Sequence, residues 1–168
     1  MDCRLSGSSI KSAFVKGAVE VGANVVDCGL ASTPAMFMTT ISEHVKATAS
    51  VMVTASHLPF NRNGLKFFTP KGGLDSKDIA SILTIAENGE YVFEGAKGSS
   101  STLDFMDIYS RHIADYICEG VNADDYQHPL KGMHIIVDAG NGNGGFFEKI
   151  LSMLGADTKG SQFLDPDG

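Results

Sequence analysis

Apolar residues first recur at helical spacing between Ser6 and Gly22, at Ile10, Phe14, Val15, Ala18 and Val21. The spacing predicts a helix starting near Ser8, with N-caps available among residues 6–9 and Gly22 closing it. Residues 24–28 form a short apolar run that predicts a buried strand. Thr33-Pro34 pairs a cap with a proline at the first helical position, opening a helix through about Ile41. Residues 50–54 and 65–68 predict two further strands, separated by the polar loop 55–64. Asp75 caps a helix with Ile79, Ile82, Leu83 and Ala86 on one face, and residues 88–101 read as a Gly- and Ser-rich loop with a short strand at best. Another helix begins at Thr102, its face formed by Met106, Tyr109, Ile113, Tyr116 and Ile117. Residues 133–138 then predict a strand, and residues 146–154 a helix ended by Gly155.

Strands alternating with helices imply an α/β fold. The expected architecture is a three-layer α/β/α domain with a mixed sheet over residues 1–120. A polar linker over 121–130 and the beginning of a second, similar α/β domain over 131–168 follow it. No internal repeat is visible.

Composition narrows the function classes. The 168 residues carry a net charge of -7, which disfavours nucleic acid and anionic membrane as partners. Cys3, Cys28 and Cys118 are odd in number and lack metal-site spacing, so a reducing compartment fits best. No apolar run reaches membrane-span length, and the N-terminus lacks signal-peptide character. The expected location is cytoplasmic.

Chemistry concentrates between the second and third predicted strands, where residues 54–66 read Thr-Ala-Ser-His-Leu-Pro-Phe-Asn-Arg-Asn-Gly-Leu-Lys. Rigid elements hold this loop at both ends. It offers a hydroxyl at Ser56, an imidazole at His57, amides at Asn61 and Asn63, a guanidinium at Arg62 and an ammonium at Lys66. Phosphoryl transfer needs a nucleophilic oxygen, cations for the equatorial oxygens and a proton acceptor. Candidates for each are here, although a Ser-His pair in a polar turn also suits a merely solvated loop.

The order of these residues resembles the phosphoserine signature of the α-D-phosphohexomutases, the phosphoglucomutases and phosphomannomutases. There the usual wording is Thr-Ala-Ser-His-Asn-Pro with Asn-Gly-x-Lys downstream; Leu58 replaces the Asn. Asp2-x-Arg4-Leu5-Ser6-Gly7 resembles the family's first loop, Asp27-Cys28-Gly29-Leu30 with Thr33-Pro34 the strand and helix before the serine loop, and residues 137–142 the first strand and turn of its second domain. The first motif starts at Met1, where the family has a supporting strand.

The resemblance implies an isomerase of carbohydrate metabolism, exchanging hexose 1-phosphate and hexose 6-phosphate through a phosphoserine and a bisphosphate intermediate. It makes Ser56 the phosphoryl carrier and Lys66 the general acid/base. His57 orients the loop or substrate, or simply packs. Arg4 and Asn63 hold phosphate or substrate, with a surface ion pair as the other reading of Arg4. Magnesium would bridge the phosphoserine and three aspartates of a second-domain loop that this sequence lacks, so Ser56, through its phosphate, is the metal ligand present. Hexose bisphosphate would act as activator and hexose phosphate as substrate; no obligate protein partner is expected. The chain reads as truncated and inactive alone, and a plastid location is the alternative if a transit peptide preceded it. Two rivals remain: a non-catalytic remnant of the family, and a dinucleotide-binding fragment suggested by Gly-x-Gly-x-x-Gly at residues 140–145.

Overall fold

A computed structural model describes residues 1–89 and 93–167. Its elements run α1 (Gly7–Glu20), β1 (Val25–Asp27), α2 (Thr33–Met38), β2 (Ser50–Val53), β3 (Leu65–Thr69), β4 (Gly72–Gly73), α3 (Ser76–Asn88), β5 (Ser100–Thr102), α4 (Phe105–Val121), a 3-10 turn (Asn143–Gly145) and α5 (Phe146–Met153). The fold is α/β and uses both kinds of strand pairing. β1 pairs β5 in parallel, Val26 opposite Ser101, while β2, β3 and β4 form an antiparallel ladder with Met52 opposite Lys66. Met1 and Asp2 lie between the two ladders. Met1 donates to the Gly29 carbonyl at 2.8 Å and accepts from Ala31 N–H at 2.9 Å, and Asp2 N–H donates to the Val53 carbonyl at 3.1 Å. The first two residues therefore tie the end of β1 to the end of β2.

Several boundaries differ from the sequence reading, each for a local reason. Ser32, not Thr33, caps α2: its hydroxyl accepts from Ala35 N–H at 3.3 Å, so Pro34 sits second in the helix, and α2 ends at Met38. α4 starts at Phe105 instead of Thr102, because Asp104 takes the cap by accepting from Asp107 N–H at 3.2 Å. Residues 100–102 are free to pair with β1 as β5. Residues 133–138 do not form a continuous strand; they make isolated parallel bridges, His134 with Asp157 and Asp138 with Gln162. The loop reading for 88–101 includes residues 90–92, which lie outside the described residues.

Two apolar clusters hold these elements. Ala31, Met36 and Met52 pack with Cys28, Phe68 and Met106, placing the first cluster directly beneath the β2–β3 ladder. The second joins Ala114 and Cys118 of α4 to Leu130, Ile150, Leu151, Leu154 and Ala156. Thus α4 packs against both, and residues after 130 are anchored to the helix before them. α3 lies at the margin, with none of its residues fully buried and Leu83 and Ile85 more than half exposed.

α1 is fastened to β1 by Lys11, whose ammonium lies 2.6 Å from an Asp27 carboxylate oxygen; the other oxygen accepts from Gly29 N–H at 2.8 Å. Burial alone would raise the Asp27 carboxyl, but the bonds from Lys11 and Gly29 outweigh it and hold the group below its ordinary value. A depressed carboxyl stabilises the fold above its unfolded pKa, and that contribution is lost as pH falls through the folded value. Asp27→Asn is therefore expected to lower stability by less than about 1 kcal/mol near neutrality, since the pair is partly solvated. The gap from the parent should close below about pH 4. Urea melts at pH 7 and pH 3 check this, and a gap that widens in acid contradicts it.

Candidate functional site

The loop between β2 and β3 is built from its ends inward. Thr54 is buried, its N–H bonded to the Gly64 carbonyl at 2.9 Å, which closes the loop at its base. A side chain at Gly64 would put a Cβ 3.2 Å from the Thr54 carbonyl, a tight contact that would push the strand ends apart by a few tenths of an ångström. Inside the loop, Leu58 N–H bonds Ala55 and Arg62 N–H bonds Pro59, forming two consecutive turns. Asn63 accepts from Gly64 N–H at 2.9 Å and donates to the Ser6 hydroxyl at 3.1 Å, tying the loop to the start of α1.

Ser56 stands at the first bend with φ 57°, a left-handed conformation that costs a non-glycine residue about 1–2 kcal/mol. Its amide is held by the Thr54 hydroxyl at 2.9 Å, and that hydroxyl donates to Asp2 at 2.5 Å. Its side chain is on the exposed outer surface of the loop. Strained backbone that the surroundings over-determine tends to mark sites of function.

Arg4 does most of the holding. Its Nε donates to Asp2 at 3.0 Å, and its terminal nitrogens donate to the carbonyls of Pro59 at 2.6 Å, Arg62 at 3.1 Å and Ser56. Only 10% of the side chain is exposed, against 16% for Asp2. The fork thus grips the loop backbone, and Arg4 acts here on the loop's shape while its donors face inward. Removing it takes one donor from the Asp2 carboxylate, which keeps those from the Thr54 hydroxyl and the residue-4 N–H, and one from each of three loop carbonyls. Arg4→Ala is expected to cost roughly 2 kcal/mol. Lysine should not restore it, because one ammonium cannot reproduce a planar fork. Urea unfolding measures this, and a loss under about 1 kcal/mol would make Arg4 an ordinary surface arginine.

The remaining sequence-predicted residues fall around the same loop. His57 is exposed beside Ser56. Lys66 lies opposite Met52, on the ladder face that carries Phe68, and reaches solvent beyond the core. Leu58 and Phe60 are 52% and 62% exposed, giving the loop an apolar rim beside its cations. Arg4 and Asn63 are thus bonded into the Ser56 loop or its anchor at Ser6, His57 follows Ser56 in the chain, and Lys66 stands two residues past the loop's closing Gly64. Sequence reasoning did not assign roles to Thr54, Asp2 or Ser6; a hydroxyl two positions before a bend is the signal for Thr54.

The glycine run fits a packing role. Gly145 faces the Leu164 carbonyl, 2.1 Å from where a Cβ would stand, so its missing side chain makes room for the chain's own backbone. Among the described residues no three His, Cys, Asp or Glu side chains gather closely enough to hold a metal ion, and no helix is long and apolar enough to cross a membrane. These residues do not by themselves make a magnesium site.

The family described as "Phosphoglucomutase/phosphomannomutase, alpha/beta/alpha domain I" matches residues 1–92, and the chain belongs to it. The phosphoglucomutase of Neisseria meningitidis serogroup B (strain MC58) is 31% identical over 168 residues, covering 99% of this chain and 34% of that protein. A Clostridium beijerinckii phosphoglucosamine mutase is 36% identical over 143 residues, covering 84% and 30% respectively. The solved structure of a phosphoglucomutase/phosphomannomutase family protein from Burkholderia thailandensis superposes with a TM-score of 0.71 at 25% identity, over 98% of this chain and 34% of that one. The chain thus spans about a third of the length of the relatives it matches.

Proposed function

We propose that the protein containing this chain is a phosphohexomutase that interconverts hexose 1-phosphate and hexose 6-phosphate through phosphorylated Ser56 and a hexose bisphosphate. The observation that carries this is the left-handed, exposed Ser56 in a Thr-Ala-Ser-His-Leu-Pro loop, braced by Thr54, Asp2 and Arg4. In the first half-reaction a hydroxyl of the sugar phosphate attacks phosphorus and the P–Oγ bond of phosphoserine breaks. The proton leaves the sugar oxygen with Lys66 as base and ends on Ser56 Oγ. The second half runs in reverse with the sugar's other phosphate, so Ser56 is rephosphorylated and the isomer is released. His57 orients the loop or substrate oxygen, and Asn63 fixes the approach to α1.

Positioning and charge stabilisation make up most phosphoryl-transfer catalysis. The loop here is exposed, and the relatives are about three times longer, so the proposal places the remaining walls and any magnesium-binding carboxylates outside this chain. The dinucleotide reading loses support because Gly145 is already covered by Leu164. The reading as a non-catalytic remnant is decided by experiment. A chimera in which residues 1–168 replace the aligned segment of the Neisseria meningitidis phosphoglucomutase should convert glucose 1-phosphate to glucose 6-phosphate in a coupled assay. A folded chimera without turnover would favour the remnant.

A further inference from the structure

The second apolar cluster and the serine loop are in separate parts of the fold, yet one side chain lies between them. Asn143, at the start of the 3-10 turn before α5, donates its amide to the Ala31 carbonyl at 2.8 Å and to the Met1 carbonyl at 3.3 Å. Both acceptors belong to the seam between the two ladders, where Met1 and Ala31 also bond each other. Asn143 Oδ1 is buried without a partner among the described residues, a cost that the two donated bonds must offset. Beside it, the Cys3 thiol donates to the Asn141 carbonyl at 3.5 Å. From Met1 the chain passes directly to Asp2, which holds Thr54 and Arg4, and these two hold Ser56.

We propose that Asn143 is a positioning residue for Ser56, transmitting the placement of the glycine-rich turn through Met1, Asp2 and Arg4 to the serine loop. Its relevance to catalysis rests on Ser56 being the phosphoryl carrier. Its geometry does not. The amide supplies two donors to two carbonyls from separate segments, so any movement of the turn must either break those bonds or carry residues 1–4 with it. The segment after 130 thereby gains a hold on the conformation of Ser56 relayed through residues 1–4 and Thr54.

The test is backbone amide exchange by NMR on the 168-residue chain, comparing the parent with Asn143→Ala and the near-isosteric Asn143→Asp, which lacks the donors. Both variants should speed exchange at the Ser56 and Asp2 amides about tenfold relative to Cys118 in α4. Leu154→Ala, which opens the second cluster without touching Met1, should speed the α4 and α5 amides and leave the Ser56 amide within about twofold of the parent. Equal acceleration of loop and α4 in the Asn143 variants, or none at Ser56, overturns the proposal. Because exchange does not depend on what Ser56 carries, a failed coupling is distinct from a failed phosphoserine assignment.

Discussion

Ser56→Ala in the chimeric mutase is expected to reduce hexose phosphate turnover to background, a fall of at least about 10⁴-fold. The reason is stoichiometric before it is electrostatic. Without the hydroxyl there is no oxygen to carry a phosphoryl group between the two half-reactions. Thr54, the loop's one other hydroxyl, cannot substitute: its side chain is buried and already bonded to Asp2 and to Ser56 N–H. The fold should survive, because the bonds that shape this bend use the amide and carbonyl of Ser56 and not its side chain. Thermal melting of the variant close to the parent, together with lost turnover in the coupled assay, is the expected pair of results. Retained turnover would remove Ser56 from the mechanism.

Lys66→Ala should lower kcat by roughly 10²- to 10⁴-fold while leaving KM within a few-fold, since a general acid/base acts mainly in the transition state. Its position supports the separation. Lys66 lies in β3, held by pairing with Met52, so its backbone is fixed by the ladder whatever its side chain does. The side chain is exposed and makes no ion pair among the described residues, so its removal leaves no stranded charge. Steady-state kinetics decide the matter. A rise in KM at constant kcat would assign Lys66 to substrate binding.

Much of this arrangement was legible in the sequence, and the reasons differ by element. The helices announced themselves where an apolar stripe and a cap coincided, as with Asp75 ahead of Ile79 and Ile82. They slipped where two cap-forming residues competed, as with Ser32 against Thr33 and Asp104 against Thr102. β5 was nearly invisible because Ser100-Ser101-Thr102 has no apolar alternation; it forms because β1 offers it a parallel partner. Residues 133–138 were apolar enough for a strand but meet only single-bridge partners.

The serine loop could be recognised by residue order, but not its support. Arg4 reads equally well as a phosphate holder or half of an ion pair; its grip on three loop carbonyls emerges only when residues 52–58 positions apart meet. Asn143 was hidden for the same reason, lying 112 residues from the carbonyl it holds most closely. Bonds of a side chain to distant backbone leave no periodic trace in sequence, so they are where sequence reasoning gives out.

The central claim is that Ser56 carries the phosphoryl group. It is tested most directly by incubating the chimera with glucose 1,6-bisphosphate, then digesting it and mapping the phosphate by mass spectrometry. One phosphoryl group on the peptide spanning residues 54–62, assigned to Ser56 and absent from Ser56→Ala, is the predicted result. Phosphate elsewhere on the chain with Ser56 unmodified would contradict it.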